Sequence, residues 1–237
     1  MSHSEQARSF RRAAVEYDRG RPGWPPAILD VLPVPPSATV LDLGAGTGKL
    51  TRILAERYAQ VIAVEPLAEL RAILAERVPD TDVRDGAAER VPLADAAVDA
   101  VFAGQSFHWF ANDVAVGEIA RVLRPGGVFA LLWNRSVDPS PLPEAYASRL
   151  GELHDERRPD PIDERILERF PFGEEHEASV LHEQVSSRDD VLAFAASVSW
   201  IASRVDRDAI LAELGSLLPP GDYVFPLEAE LTWVVRR

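Results

Sequence analysis

The sequence predicts an α/β protein with a mostly parallel sheet and helices on both of its faces. Three observations indicate this class: short apolar runs alternate with amphipathic segments over residues 1–135, glycines follow the first apolar run, and the chain ends in an apolar–polar alternation. Short apolar runs are typical of strands buried on both faces, and amphipathic segments between them are typical of crossover helices. We therefore expect right-handed βαβ units, with ligands bound at the carboxyl ends of the strands.

The predicted strands are short apolar runs bounded by glycine, proline or charged residues. They are residues 39–43, 60–64, 81–84, 98–103 and 128–133. The predicted helices carry apolar residues at helical spacing, such as Leu50, Ile53 and Leu54 in the first of them. They are residues 49–58, 67–78 and 112–123, and residues 125–127 are expected to form a sharp turn.

The remainder of the chain divides less regularly. Residues 136–172 contain many prolines and charges, and two short helices fit at 144–156 and 162–170. This segment is either a lid over the site or a surface insertion. Alternation over 225–235 predicts a strand with one better-buried face. We expect four segments: an N-terminal cap at 1–36, a binding core at 37–135, the helical insertion at 136–172 and the completion of the sheet at 173–237.

Composition excludes several classes of function. The net charge is −13, and nucleic-acid binders usually carry a basic face, so no nucleic-acid partner is expected. The absence of cysteine excludes disulfides, thiolate metal sites and a cysteine nucleophile. Apolar runs are too short to span a bilayer, and Met1–Glu5 does not resemble a signal peptide, so a cytoplasmic protein is expected. His154, His176 and His182 are scattered, and no metal site is expected.

A glycine loop, residues 44–48, separates the first predicted strand from the first helix. The spacing is G-x-G-x-G instead of the G-x-G-x-x-G of dinucleotide-binding proteins, and Asp42 precedes it. An ionised carboxylate there repels a pyrophosphate but suits the positive sulfonium and ammonium groups of S-adenosylmethionine, whose carboxylate suits the helix N-terminus. Glu65 ends the second strand, where a carboxylate accepts hydrogen bonds from ribose hydroxyls in either cofactor class.

These motifs together resemble the core of class I S-adenosylmethionine-dependent methyltransferases. The resemblance covers residues 40–48, Glu65, residues 86–92 and residues 123–127. It implies a Rossmann-like sheet of seven strands whose last strand is antiparallel, with S-adenosylmethionine as cofactor and S-adenosylhomocysteine as product. Residues 17–25 and 105–110 further resemble the small-molecule group that includes trans-aconitate methyltransferases.

The resemblance also implies which residues contact the cofactor. They are Tyr17, Arg21, Asp42, Gly44, Ala45, Gly46, Thr47, Glu65, Pro66, Ala87, Ala88, Gln105 and Phe107. Tyr17 and Arg21 are expected to close over the methionine end, and Phe107 and Trp109 to form an apolar wall, for which core packing is the alternative. Many relatives have aspartate where Ala87 stands, so backbone groups or Glu89 are expected to contact the adenine.

His108 is the candidate catalytic residue, because an imidazole titrates near neutrality and can remove a proton from the acceptor. The alternative is a structural histidine, since a carboxylate acceptor needs no base. We expect in-line transfer of a methyl group to oxygen or carbon of a small-molecule acceptor. Two other functions stay open: an S-adenosylmethionine-binding regulator without turnover, and an NAD(P)-dependent oxidoreductase.

Overall fold

The computed structural model describes residues 18–137, 140–153, 165–202 and 204–237, with only the backbone at 199. In these residues seven strands form one sheet in the order β3-β2-β1-β4-β5-β7-β6. The strands are β1 Thr39–Leu43, β2 Gln60–Val64, β3 Asp82–Arg84, β4 Val98–Gly104, β5 Leu123–Ser136, β6 His176–Ser187 and β7 Asp222–Val235.

The first five strands are parallel neighbours. β1 pairs with β2 and β4, β2 with β3, and β4 with β5. β7 runs the other way along β5: Gly126 N–H donates to the Arg236 carbonyl and Arg236 N–H to the Gly127 carbonyl, both at 2.8 Å. The predicted class, a mostly parallel sheet of seven strands with the last strand antiparallel, is confirmed.

The described residues form seven α-helices. They are α1 Lys49–Arg57, α2 Ala68–Arg77, α3 Asp113–Val122, α4 Glu144–Leu153, α5 Arg188–Ser197, α6 Ser199–Ala202 and α7 Arg207–Ser216, with short 3₁₀ helices at Pro26–Leu29, Phe107–Trp109 and Ile166–Arg169. No helix in the described part of the chain is long and apolar enough to cross a membrane.

Two features differ from the predicted elements. Residues 125–127, expected as a separate turn, lie inside β5, which starts at Leu123. The pairing with β4 shifts there from Val98–Leu123 to Ala100–Val128, so the extra residues bulge out, with Gly126 at φ +80°. A strand at His176–Ser187 and the helices α5 to α7 occupy much of the segment predicted only to complete the sheet.

The described residues group into two compact units. The larger one contains those of Trp24–Arg135, Asp160–Val180 and Glu228–Arg237, and the smaller one those of Met1–Gly23, Ser136–Pro159 and Leu181–Leu227. The four-segment division expected from the sequence stays a prediction. In the smaller unit, α4, α5 and α7 pack around a core of their own that includes Tyr146, Val191 and Leu214.

Strand β1 contributes to two of the apolar clusters that form the core of the larger unit. Leu41 and Leu43 belong to one apolar cluster, whereas Val40 belongs to the other, with Leu50 and Leu54 of α1. This follows from the alternation of side chains along a strand. Asp42 has the same parity as Val40, which places a carboxyl group on the α1 side of the sheet.

Candidate functional site

The glycine loop joins β1 to α1 through three left-handed residues. Gly44, Gly46 and Gly48 have φ of +69°, +58° and +87°, which L-residues other than glycine rarely adopt. The backbone N–H groups of Gly44 and Ala45 donate to the Val64 carbonyl at 2.9 and 3.1 Å, which ties the loop to the end of β2. These bonds and torsions give the loop one defined shape between the first two strand ends.

The two faces of the loop differ in packing. A Cβ added at Gly44 would lie 2.9 Å from the Cβ of Ser106, so this side of the loop is filled by the segment that follows β4. A Cβ added at Gly46 would have no atom within 4 Å, so Gly46 faces open space. Ala45 and Thr47 are buried. The loop therefore offers bare backbone at Gly46, where a ligand can approach closely.

Glu65 lies at the end of β2 directly beside this open backbone. Its side chain is 5% exposed, and its two oxygens accept hydrogen bonds from Gly46 N–H and Leu67 N–H, both at 2.9 Å. Burial raises the pKa of Glu65, while these two N–H groups act in the opposite direction. A carboxylate has about four lone-pair sites, so each oxygen retains capacity for a hydroxyl donor. The neighbouring Pro66 is exposed.

Arg71 of α2 stabilises the same strand end. Its Nη1 donates to the Glu65 carbonyl oxygen at 2.7 Å and lies 3.0 Å from Oδ1 of Asp85. One guanidinium thus connects the ends of β2 and β3, which positions Glu65 from its backbone side.

Asp42 is buried beneath the loop, with 1% of its surface exposed. Its Oδ2 accepts a hydrogen bond of 2.6 Å from the hydroxyl of Thr51, which is itself fully buried. Burial raises the pKa of Asp42 to about 7; the hydrogen bonds from the Thr51 hydroxyl and backbone N–H lower it, and the charge of Glu65 raises it. The sequence argument assumed an ionised carboxylate before the glycines, whereas burial keeps the group partly protonated at neutral pH.

The segment after β3 is fixed by contacts with α3. Ala87 is exposed and Ala88 is buried in the core, and Glu89 Oε1 accepts a hydrogen bond of 3.0 Å from Asn112 Nδ2. The Oδ1 of Asn112 also accepts from Ala115 N–H at 3.0 Å and so caps α3. Glu89 is therefore held in place beside the two alanines, as its expected role at the adenine requires.

The loop after β4 begins at a strained residue. Gln105 has φ of +53°, its N–H donates to the Leu132 carbonyl at 2.9 Å, and its Nε2 donates to the Asn134 carbonyl at 3.0 Å. Positive φ in a residue other than glycine costs about 1–2 kcal/mol, so these bonds to β5 maintain it. Ser106 Oγ donates to the Leu43 carbonyl at 3.0 Å, which connects this loop to the glycine loop.

The aromatic residues of this loop have different environments. Phe107 is 2% exposed and packs edge-on against Phe110 and Phe129, which is the core packing that the sequence left as the alternative. Trp109 is 74% exposed, and its ring centroid lies 4.8 Å from that of His108. The His108 ring also lies 5.6 Å from Trp133 of β5. His108 thus sits within an aromatic group at the carboxyl ends of β4 and β5.

The remaining cofactor candidates are the two N-terminal residues, Tyr17 and Arg21. Tyr17 lies outside the described residues. Arg21 belongs to the smaller unit, where its guanidinium carbon lies 5.2 Å from the Phe194 ring centroid. Their expected roles at the methionine end stay predictions.

The larger unit thus brings most of the predicted cofactor residues to the carboxyl edge of the sheet. They are Asp42, Gly44, Ala45, Gly46, Thr47, Glu65, Pro66, Ala87, Ala88, Gln105 and Phe107. Sequence reasoning missed Thr51, Ser106 and Asn112, which hold the site together. Asn112 had a signal, because it is the first residue of the helix predicted at 112–123, and asparagine is a preferred capping residue. No group of three or more potential metal ligands occurs among the described residues.

Comparisons with known proteins bear on this arrangement. A family model for a methyltransferase domain matches residues 41–131. An uncharacterized methyltransferase of Mycobacterium tuberculosis is 42% identical over 171 residues, which cover 72% of this chain and 68% of that protein. A malonyl-[acyl-carrier protein] O-methyltransferase of Methylococcus capsulatus is 39% identical over 102 residues, 40% of this chain and 37% of that one.

A solved structure from Anaeromyxobacter dehalogenans, described as a type II methyltransferase, is similar over nearly the whole chain. It has a TM-score of 0.66 and 29% identity, and the match covers 92% of this chain and 97% of that chain.

Proposed function

Because the chain belongs to the class I S-adenosylmethionine-dependent methyltransferases, we propose that it transfers a methyl group from S-adenosylmethionine to oxygen or carbon of a small-molecule acceptor. Membership of this family disfavours the NAD(P)-dependent oxidoreductase that the glycine loop alone left open. The observation that carries the proposal is the buried Glu65 carboxylate, hydrogen-bonded to the open backbone of Gly46.

The residues present fit this cofactor. Glu65 would accept hydrogen bonds from the ribose hydroxyls through the lone pairs that Gly46 and Leu67 leave available. The absence of a side chain at Gly46 leaves the space that a nucleoside needs. The N-terminus of α1 follows the loop, and its N–H dipoles favour the carboxylate of an amino acid. Ala88 and the segment held by Asn112 would bound the adenine.

The cofactor supplies an electrophilic methyl group on a positively charged sulfur. The chain's own residues then have to orient the acceptor, exclude water and, for a hydroxyl or carbon acceptor, remove a proton. Gln105 and His108 stand after β4, the strand whose loop faces the reacting methyl group in the family that this chain resembles. We assign proton removal to the imidazole of His108, which the rings of Trp109 and Trp133 orient.

A small acceptor is supported by charge and by similarity. The net charge of −13 disfavours a nucleic-acid acceptor. The relative from Methylococcus capsulatus is an O-methyltransferase, which supports oxygen as one of the two candidate atoms. The segment after β4 reads Gln105-Ser106-Phe107-His108 and has no Asn/Asp-Pro-Pro-aromatic sequence of the kind that many amino-methylating enzymes carry.

Two measurements test the proposal. Calorimetric titration with S-adenosylmethionine, S-adenosylhomocysteine and NADH is expected to show binding of the two sulfur nucleosides and none of NADH. Transfer of tritiated methyl groups to a panel of small carboxylic acids, alcohols and activated carbon acids is then expected to label at least one of them. Binding of NADH in place of the sulfur nucleosides would overturn the cofactor assignment, and tight cofactor binding without any labelled acceptor would favour the regulatory alternative.

A further inference from the structure

Thr51 is a buried polar residue whose hydroxyl bonds a residue of the candidate cofactor site. It occupies the third position of α1 and is fully buried, and its hydroxyl donates to the Asp42 carboxylate at 2.6 Å. Gly48, at the N-cap of α1, has no side chain with which to accept the first free N–H groups of the helix. The Asp42 carboxylate of the preceding strand accepts from the third residue of this helix through the Thr51 hydroxyl.

The surroundings of Asp42 make this bond important. Its neighbours in the sheet are Ala63 on β2 and Phe102 on β4, neither of which carries a charge or a donor side chain. Of the residues that act on Asp42, Thr51 on α1 lowers the carboxyl pKa and Glu65 after β2 raises it. Thr51 is therefore the side chain that favours the ionised form of Asp42 against burial and against the second carboxylate.

We propose that Thr51 is a positioning residue for cofactor binding: its hydroxyl fixes the Asp42 carboxylate beneath the glycine loop, and the charge of that carboxylate makes the site prefer the positively charged sulfur of S-adenosylmethionine to the neutral sulfur of S-adenosylhomocysteine. The inference rests on the proposed function. Its consequence is discrimination between donor and product, which lets the spent cofactor leave.

The charge of Asp42 sets a pH dependence with a definite sign. With a pKa of about 7, the carboxyl group is neutral below that pH and ionised above it. An anion attracts a sulfonium and is indifferent to a thioether, so the affinity ratio of donor to product rises with pH. The amino and carboxylate groups of the two nucleosides are the same, so their own titration cancels in this ratio.

The test is the affinity ratio measured by calorimetry between pH 6 and 9 in four proteins. The wild type is expected to show a rise of this ratio with pH as Asp42 ionises. Thr51→Val, which replaces the hydroxyl by a methyl group, is expected to move the midpoint to higher pH, because the carboxylate loses a donor. Thr51→Ser retains the hydroxyl and keeps the wild-type midpoint, and Asp42→Asn removes the rise.

A direct measurement accompanies the binding data. The carboxyl carbon of Asp42, observed by ¹³C NMR in the cofactor-free protein, is expected to titrate at higher pH in Thr51→Val than in the wild type. A ratio independent of pH in the wild type, or equal midpoints in Thr51→Val and the wild type, would overturn this inference alone. Failure of the wild type to bind either nucleoside would overturn the proposed function and this inference with it.

Discussion

Replacement of Glu65 by glutamine tests the site at its most specific contact. The change preserves the shape of the side chain but leaves one acceptor oxygen in place of two. In the native protein the two oxygens accept from Gly46 N–H and Leu67 N–H at 2.9 Å, and the group is 5% exposed. In Glu65→Gln, an amide NH₂ group must therefore face one of these backbone donors.

The expected losses follow from this count of acceptors. Loss of one hydrogen bond to a charged acceptor costs about 1.5–3 kcal/mol, and relief of the buried charge, whose pKa burial raises, offsets part of it in the free protein. We expect the free energy of unfolding to fall by about 1–2 kcal/mol. Cofactor binding loses the second ribose acceptor without such an offset, so Kd is expected to rise roughly 10- to 100-fold.

Urea unfolding and calorimetric titration at 15–25 °C measure the two quantities separately. Glu69→Gln is the matched control, because it removes the same charge from an exposed position in the first turn of α2. Its Kd should equal that of the wild type. If Glu65→Gln, shown to be folded, binds S-adenosylmethionine within twofold of the wild type, the ribose role of Glu65 is refuted.

Three further predictions concern the loop, the buried carboxyl group and the base. Gly44→Ala is expected to lower the free energy of urea unfolding more than Gly46→Ala does. Positive φ costs each variant about 1–2 kcal/mol, but only the new methyl group at position 44 also collides with Ser106. Both variants should weaken cofactor binding, and equal free energies of unfolding would contradict the packing described. The pKa of Asp42 is raised from 3.8 to about 7, so the folded state holds an extra proton between these pH values and its stability falls as pH rises through them. Asp42→Asn should remove this fall. An unchanged pH profile of unfolding in Asp42→Asn would count against the effect of burial. His108→Ala is expected to slow transfer to a hydroxyl acceptor at least tenfold and to leave a carboxylate acceptor nearly unaffected; equal effects on the two acceptors in the radiolabel assay would indicate a structural role.

The first half of the sheet follows from the sequence because its strands and helices carry strong periodic signals. Strand β1 was predicted at its observed bounds, and α1 within one residue, since apolar runs and helical spacing have clear limits there. β6 was missed for a physical reason. It lies at the end of the strand order, and of its twelve residues only Ser186 is buried, so no apolar periodicity marks it.

The start of α5 carried a signal that sequence analysis did not use. Ser187 and Asp190 form a reciprocal capping box, whose spacing is visible in the sequence. The helices of the smaller unit are otherwise hard to predict from the sequence. Their apolar residues lie on more than one helix face, as in α5 and α7, so no clear helical periodicity marks them.

The site was predictable by position but not by environment. The strand order places the ends of β1, β2 and β4 side by side, which is why the segments after these strands could be expected to form the site, whereas the choice of Gln105 depended on the family resemblance. Burial is a property of the packed molecule. The protonation of Asp42 therefore became apparent only with the α1 contacts in view, and the partner that controls it, Thr51, has no motif of its own.

Asn112 shows how narrow the choice of residue can be at a position that many residues could occupy. Serine and aspartate start helices as well as asparagine does. At this position the side chain must accept from Ala115 N–H and at the same time donate to Glu89. Aspartate could accept from Ala115 N–H but would repel the Glu89 carboxylate. The side chain of serine is too short to bond both groups. An amide meets both demands, so Asn112 anchors both the segment after β3 and the start of α3.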